Sequence, residues 1–353
     1  MPLRRLFLLS SLVLAVAAGG AVALAAGLQP ATASTIQAGS SLPCDIYASA
    51  GTPCVAAHST VRALYAAYNG PLYQVKRASD GKTRNIRTLR AGGYANAAAQ
   101  NAFCAGTSCI IAKIYDQSPE HNNLTIEGSG QRGGRDAGAN AAALPVTVDG
   151  HHVYGVYVRA GVGYRDNSTR GVAVGSSPQS EYMVASGRHV NNKCCFDYGN
   201  AETNGRDNGN GHMDAINLST KCFFSPCSRP GPRVQADLEN GLFAGANGSD
   251  TNNKGNSSAF VTAMVKSNGK TSYAIKGGNA QSGRLTTWYR GALPDRGGYV
   301  PLHQEGAIVL GTGGDNSKAS IGSFFEGVMT SGYPTAAADN AVQANIVSVH
   351  YGK

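Results

Sequence analysis

Charge is scarce in this chain: Asp, Glu, Lys and Arg make up 14% of its residues, against about 25% in ordinary soluble proteins. Tryptophan occurs once and glycine 46 times. A chain so poor in charge and so rich in glycine excludes a mainly helical protein and favours short strands joined by turns. No Cys-x-x-Cys and no His-x-x-x-His accompanies the eight cysteines, so the usual zinc spacings are absent and no metal or cofactor is expected. No Gly-x-Ser-x-Gly stands between a strand and a helix, which removes the hydrolase elbow. The basic residues that produce the formal charge of +9 are dispersed, without a run or interleaved aromatics. They read as a solvated surface rather than a nucleic-acid site, with weak attraction to acidic polysaccharide left open.

One long apolar run exists, from Leu6 to Ala26, behind Arg4 and Arg5 and ending in small residues at Ala21, Ala23 and Ala25. It is diluted by alanine and glycine, and reads as a cleaved export signal over residues 1–26 rather than a membrane anchor. Residues 27–43 read as a disordered lead-in, and 44–353 as one domain without a linker. The expectation is a secreted, extracellular monomer, free of the membrane once the signal is cleaved.

The cysteines fall in four close couples, Cys44 with Cys54, Cys104 with Cys109, Cys194 beside Cys195, and Cys222 with Cys227. Behind an export signal they read as local disulfides formed in an oxidising compartment. A bridge between the neighbours Cys194 and Cys195 closes an eight-membered ring, a geometry that a merely structural crosslink can avoid. The alternative, that each pairs elsewhere, stays open at this point.

Short β-prone runs recur between clusters of Gly, Asn, Asp and Ser, among them 72–76, 110–115, 146–148, 153–158, 181–185, 234–238, 260–265, 272–275, 285–289, 307–310 and 324–329. They predict an antiparallel sandwich or jelly roll. Two helices are expected beside them. One follows a cap at His58 or Ser59, with Val61, Leu64, Tyr65 and Tyr68 at helical spacing, and the other covers Ala338 to Val349. Gly128 to Gly133 matches a dinucleotide fingerprint as a bare pattern, but no amphipathic helix follows, so it reads as a loop. Five Asn-x-Ser/Thr sequons, at Asn123, Asn167, Asn217, Asn247 and Asn256, fall in expected loops. Asp207 to His212 hints at a cation loop without the alternating acids that one needs, and reads as a polar turn.

The chemistry concentrates in Asp237 and Glu239, two acids at i and i+2 of an expected strand, where alternation would point both to one face. A second acid site, Asp315, follows the glycine turn Gly311 to Gly314. Two acids from distant strand ends are the minimum equipment of a glycosidase. Glu305 and Glu326 are rivals that suit structural hydrogen bonding equally well, and surface or turn acids are the bland alternative for all of them.

Thr52 to Thr60, Ile114 to Ser118, Cys194 to Thr203, Asp237 to Asn240, Gly313 to Ser317 and Glu326 to Pro334 together closely resemble the catalytic domain of glycoside hydrolase family 54 α-L-arabinofuranosidases. The resemblance runs from about Cys44 to Tyr351. It implies an all-β, concanavalin A-like sandwich and retaining, exo-acting hydrolysis of terminal arabinofuranosyl groups of arabinoxylan or arabinan. By the same resemblance Glu239 is the nucleophile and Asp315 the general acid/base. Asp237, Asn240, Gly314 and a Cys194–Cys195 bridge contact the sugar, and the pairs Cys44–Cys54 and Cys104–Cys109 are supported. Glu239 can stay ionised if Asn240 or backbone N–H groups donate to it. An ungapped count brings Phe224 where the family has a tryptophan against the sugar, Gly241 where it has a second Asn, and adds the couple Cys222 and Cys227. These departures keep β-xylosidase and D-arabinofuranosidase specificities open; the rival from another class is a non-catalytic sugar-binding lectin on the same sandwich, its carboxylates serving only as hydroxyl acceptors. Fungal relatives continue into an arabinose-binding β-trefoil beyond the point where this chain stops, so weak anchoring to insoluble polymer is expected.

Overall fold

The computed structural model describes residues 41–353 apart from 228 and 249–251. The expected export signal and most of the lead-in lie outside the described residues. The fold itself takes in the last two lead-in positions, since Leu42 is buried and a first helix, α1, covers Pro43–Ser49. Its Cys44 is bridged to Cys54, and three further disulfides join Cys104–Cys109, Cys194–Cys195 and Cys222–Cys227.

Two antiparallel sheets stack face to face. The first runs Cys54–Ser59, Gly322–Ser331, Gln179–Ala185, Val261–Ser267, Ser272–Asn279, Thr286–Ala292, with Val156–Val158 also paired to Gly322–Ser331. The second has ten strands in the order Leu242–Phe243, Arg233–Asp237, Asp214–Ser219, Asp197–Ala201, Ala307–Leu310, Tyr164–Asp166, Leu124–Ile126, Cys109–Ile114, Pro71–Arg77, Thr83–Arg87. Period-two alternation sorts the second sheet's side chains. Tyr198, Ile216, Leu218, Val234, Ala236, Ile308 and Leu310 join the main core between the sheets, whereas Ala201, Ala215, Ala307 and Val309 form a small separate cluster with Met213. That second cluster lies on the outer face, together with Asp197, Asn217 and Asp237. The outer face carries the candidate site.

The outer face of the first sheet is covered differently. Helix α3, Ala336–Ser348, lies there, and its Asp339 accepts from Lys266 Nζ at 2.7 Å and Lys276 Nζ at 2.6 Å. A short α2, Ala97–Phe103, is capped by Asn96 Oδ1 accepting from Ala99 N–H. Among the described residues no helix is long and apolar enough to cross a membrane.

Three expectations are corrected. The helix after Ser59 does not form: Ser59 Oγ accepts from the N–H groups of Val61 and Arg62, and Leu64 N–H goes to Gln117 Oε1. Long-range partners thus take the backbone groups a helix would have used, and the helical spacing of Val61, Leu64, Tyr65 and Tyr68 reflects burial alone. Among the described residues there are three helices rather than the two expected, because the one after Ser59 is absent and α1 and α2 were not anticipated. Asn217, read as a loop sequon, is buried in mid-strand with its Nδ2 donating to Asp197 Oδ1 at 2.6 Å.

Candidate active site

The strand Arg233–Asp237 stops two residues short of Glu239, so the expected alternation does not carry Glu239 to the same face. Glu239 and Asn240 take left-handed backbone, with φ of 61° and 36°, and Leu238 N–H closes the turn on Gly241 O at 3.2 Å. The turn, not the strand period, brings both acids to one cavity of about 270 Å³. That cavity is lined by Asp237, Glu239, Asn240, Gly314, Asp315, Cys194 and Cys195, so the structure does gather the residues singled out in the sequence, with the exception of Phe224.

Phe224 is turned away. Its ring packs on Phe243 with centroids 4.8 Å apart and lies under the Arg296 guanidinium at 4.2 Å. Phe223 lines the cavity instead and is 46% exposed. Phe224, which an ungapped count sets at the family's tryptophan, thus stays out of the cavity, and both phenylalanines lie inside the Cys222–Cys227 ring. Gly241 follows from the same packing: a Cβ there would meet Phe243 Cε2 at 2.6 Å and Phe224 Cε2 at 3.1 Å.

The acids are held by different donors. Glu239 Oε1 accepts from the backbone N–H of Asn208 and from that of Gly209 at 3.1 Å. Asn240 is not among its donors, because its Nδ2 donates to Asp207 Oδ1 at 3.1 Å. The polar turn Asp207 to His212 is therefore a wall of the site. Glu305 clamps that turn, accepting from Asn208 Nδ2, from Thr203 N–H at 2.9 Å and Oγ1 at 3.0 Å, and facing His212 Nδ1 at 3.2 Å. These contacts pull the Glu305 carboxyl below its ordinary range against the opposing effect of burial. Glu326 lies elsewhere, buried against Arg62, Tyr182 and Tyr351.

Asp315 stands at the rim, its side chain 16% exposed. Its Oδ1 accepts from Ser317 N–H at 2.9 Å and its Oδ2 from Arg132 Nε at 3.0 Å. Arg132 sits on the Gly128 to Gly133 loop, so the stretch that mimicked a dinucleotide fingerprint braces a candidate catalytic acid.

Asp237 Oδ1 accepts from Glu239 N–H at 3.0 Å, and its Oδ2 lies 3.5 Å from Cys195 Sγ. Burial pushes Asp237 up to about 7 even though Asp197 hydrogen-bonds to it from behind, and burial together with the Asp237 charge raises Asp197 well above its usual value. One acid of the lining was not anticipated. Glu202, fully buried at the end of Asp197–Ala201, also lines the cavity. Only its place inside the Cys194 to Thr203 motif could have drawn attention to it. Gly314 exists for its sake: a methyl group at 314 would collide with Glu202 Oε2 and come 2.7 Å from Met213 Sδ. The sugar contact that the family resemblance implies for Gly314 is thus joined by a packing reason for a glycine there.

The family model described as "Alpha-L-arabinofuranosidase B, catalytic" matches residues 43–352. The probable α-L-arabinofuranosidase B of Aspergillus terreus is 55% identical over 88% of this chain and 62% of its own length. A Trichoderma koningii protein named arabinofuranosidase/B-xylosidase is 55% identical over 88% of this chain and 63% of its own. A solved arabinofuranosidase complexed with arabinofuranosyl-alpha-1,2-xylobiose superposes with a TM-score of 0.86 at 48% identity, covering 88% of this chain and 66% of that one. The chain thus spans somewhat less than two thirds of the length of the curated relatives it matches. With the sandwich, the adjacent-cysteine bridge and the paired acids in place over nearly the whole described fold, the chain belongs to the glycoside hydrolase family 54 arabinofuranosidase catalytic domains.

Proposed function

We propose that this chain is a secreted, exo-acting α-L-arabinofuranosidase working with retention, Glu239 being the nucleophile and Asp315 the general acid/base. The observation that carries the reading is the asymmetry of the two acids. Glu239 is sunk in the floor with two backbone N–H groups aimed at one oxygen, donors that favour the charged form a nucleophile needs, against burial and the neighbouring Glu202 carboxyl, which push it up to about 10 in the empty site. Asp315 stands at the mouth, where a leaving glycosyl oxygen would depart. In the first half-reaction Glu239 attacks the anomeric carbon, the glycosidic bond breaks, and the Asp315 proton goes to the departing oxygen. In the second, Asp315 takes a proton from water, whose oxygen displaces Glu239.

A cavity of about 270 Å³ is at the small end of ligand pockets and suits one terminal sugar rather than a length of polymer. Side chains of arabinoxylan or arabinan are the substrates this favours, and the solved relative was complexed with an arabinofuranosyl-xylobiose. Phe223 on the wall, and a relative named for both activities, keep β-xylosides as the second reading. Export is part of the proposal because four disulfides need an oxidising compartment.

Chromogenic α-L-arabinofuranoside, β-D-xyloside and D-arabinofuranoside substrates, run side by side, test the reading. The first is expected to turn over fastest, and the product seen first by proton NMR should keep the anomeric configuration. Glu239→Gln should abolish turnover on every substrate, while Asp315→Asn should regain it with azide on substrates carrying very good leaving groups. An inverted product, or binding without turnover as in a lectin, would sink the assignment.

A further inference from the structure

The glycines of the Gly128 to Gly133 loop serve close packing. A Cβ at Gly130 would meet the carbonyls of Asp315 and Gly205, each at 2.9 Å, and one at Gly133 would come 2.6 Å from Lys318 Cε. Without side chains there, the loop lies against two others at once. On one side Arg132 N–H donates to Asp315 O at 2.9 Å, and Asn316 Nδ2 donates to Gly128 O at 2.7 Å. On the other, Gln131 N–H donates to Gly205 O and Gln131 Oε1 accepts from Asp207 N–H, both at 2.9 Å. Gln131 thus bonds to the residues on either side of Arg206. Arg132 and Arg206 are set together at the stretch of the cavity's rim that carries Asp207 and Asp315.

Neither guanidinium is used up by the protein. The Arg132 side chain is 61% exposed, and it gives only its Nε to Asp315 Oδ2, leaving both Nη groups to solvent. Arg206 is exposed, and no carboxylate pairs with it among the described residues. The nearby Lys318, by contrast, is spent, its Nζ donating to Gly134 O and to Asp136 Oδ1 at 2.6 Å. The rim acids are likewise engaged: Asp207 Oδ1 accepts from Asn240 Nδ2 at 3.1 Å, and Glu305 accepts from Thr203 and Asn208. Exposed positive charge therefore stands beside Asp315, the residue that protonates the departing oxygen. That is the side of the cavity on which the rest of a polymer must lie. A neutral backbone offers hydroxyls there and no counter-charge, whereas a carboxylate matches the two parallel N–H groups of a guanidinium fork.

We infer that Arg132 and Arg206 are specificity-determining residues that receive a carboxylate of the leaving polymer, so that the preferred substrate is an arabinofuranosyl branch on a backbone bearing uronic acids. Arg132 takes the carboxylate through its Nη groups while its Nε stays on Asp315. Arg206, on the loop docked beside it, adds attraction from the same rim. This rests on the functional reading above only in taking Asp315 to mark the leaving side. A uronate carboxyl, with a pKa of about 3 to 4, is charged through the neutral range. The formal charge of +9 draws a polyanion in the same direction, and salt screens that attraction. Glucuronate on a xylan and galacturonate of a pectic backbone would both supply the group.

Oligosaccharides that lack arabinose test this without any turnover. The ligands for calorimetry are a glucuronate-bearing xylo-oligosaccharide, an oligogalacturonate and a neutral xylo-oligosaccharide of the same length. At low salt at least one acidic ligand should bind about tenfold more tightly than the neutral one, and the tighter of the two names the source of the carboxylate. Equal binding of both acids supports recognition of the carboxylate alone. The preference should shrink severalfold at about 0.3 M salt, and also in Arg132→Gln and Arg206→Ser, whose exposed positions keep folding out of the question. In kinetics, the ratio of kcat/KM on acidic to neutral arabinosylated oligosaccharides should fall about fivefold in each variant. A mere brace on Asp315 would change both substrates alike and leave that ratio unmoved. A neutral ligand bound as tightly as the acidic ones, a preference indifferent to salt, or a ratio that survives in both variants would each overturn the inference. A wild type that hydrolyses no arabinofuranoside defeats the functional reading instead, and the binding arm still decides whether the rim takes a carboxylate.

Discussion

Gly314 shows how little room a single residue has in this site. Its missing side chain makes space for Glu202 Oε2 and Met213 Sδ, and its carbonyl is one of the two that hold Arg165. Replacing it with alanine forces Glu202 off its rotamer, at an overpacking cost of about 1–3 kcal/mol. Gly314→Ala is therefore expected to lower kcat far more than Tm, since the displaced group is the one facing Glu239. A variant with near-normal kcat would show that Glu202 can move without consequence.

At the scale of elements, two loops decide what the strands present. The Cys222–Cys227 ring sends Phe223 to the cavity and Phe224 onto Phe243, and closing so small a ring removes conformational freedom from the residues inside it. Phe223→Ala should raise KM with Tm nearly unchanged, Phe224→Ala should do the reverse, and replacing both cysteines with serine should resemble Phe223→Ala. Steady-state kinetics beside thermal melts of the three variants separate the roles, and the wrong one is ascribed to Phe223 if its loss leaves KM untouched. The Asp207 to His212 turn is held by Glu305 through Asn208 and Thr203. Glu305→Ala frees the N–H groups that hold Glu239, so kcat should fall about tenfold to hundredfold on substrates of every leaving group.

Across the whole molecule, buried ionisable groups set the stability. Arg62 meets Glu326 through two hydrogen bonds of 2.5 and 2.7 Å in the core, where Tyr182 and Tyr351 also donate to the carboxylate. Removing one partner strands a buried charge, so Arg62→Met should cost about 3–5 kcal/mol, read as a drop in the denaturant midpoint with the m-value unchanged. Burial raises Glu127 and Asp214 to about 7 and lifts Glu181 well above its usual value. In the window between the unfolded carboxylate range, about 4, and those folded values, the native state binds more protons than the unfolded chain, so stability falls as pH rises through it. His58 opposes this, because burial lowers it and its folded form stays neutral as pH drops through about 6.5. The acids outweigh the histidine, so scanning calorimetry should find Tm higher near pH ~5 than near pH ~8. A Tm that climbs across that range would mean these carboxyls fold ionised.

Composition and local pattern were enough for the β-sandwich, for most strands, for the last helix and for the four disulfide couples, because low charge, turn residues and close cysteines act through neighbours in sequence. The helix expected after Ser59 failed for the opposite reason: Gln117 and Glu326, far along the chain, claim that segment's polar groups. The motifs also located Asp237, Glu239, Gly314, Asp315 and the adjacent cysteines of one cavity. What the motifs could not contain is how those residues are made to work. The left-handed turn at Glu239, the backbone donors from Asn208 and Gly209, the Arg132 brace on Asp315, the exchange of Phe224 for Phe223 and the buried Glu202 all depend on loops brought over the outer face of one sheet. Donor direction and desolvation exist only once those loops are packed, and they, rather than residue type, decide which carboxyl keeps its charge.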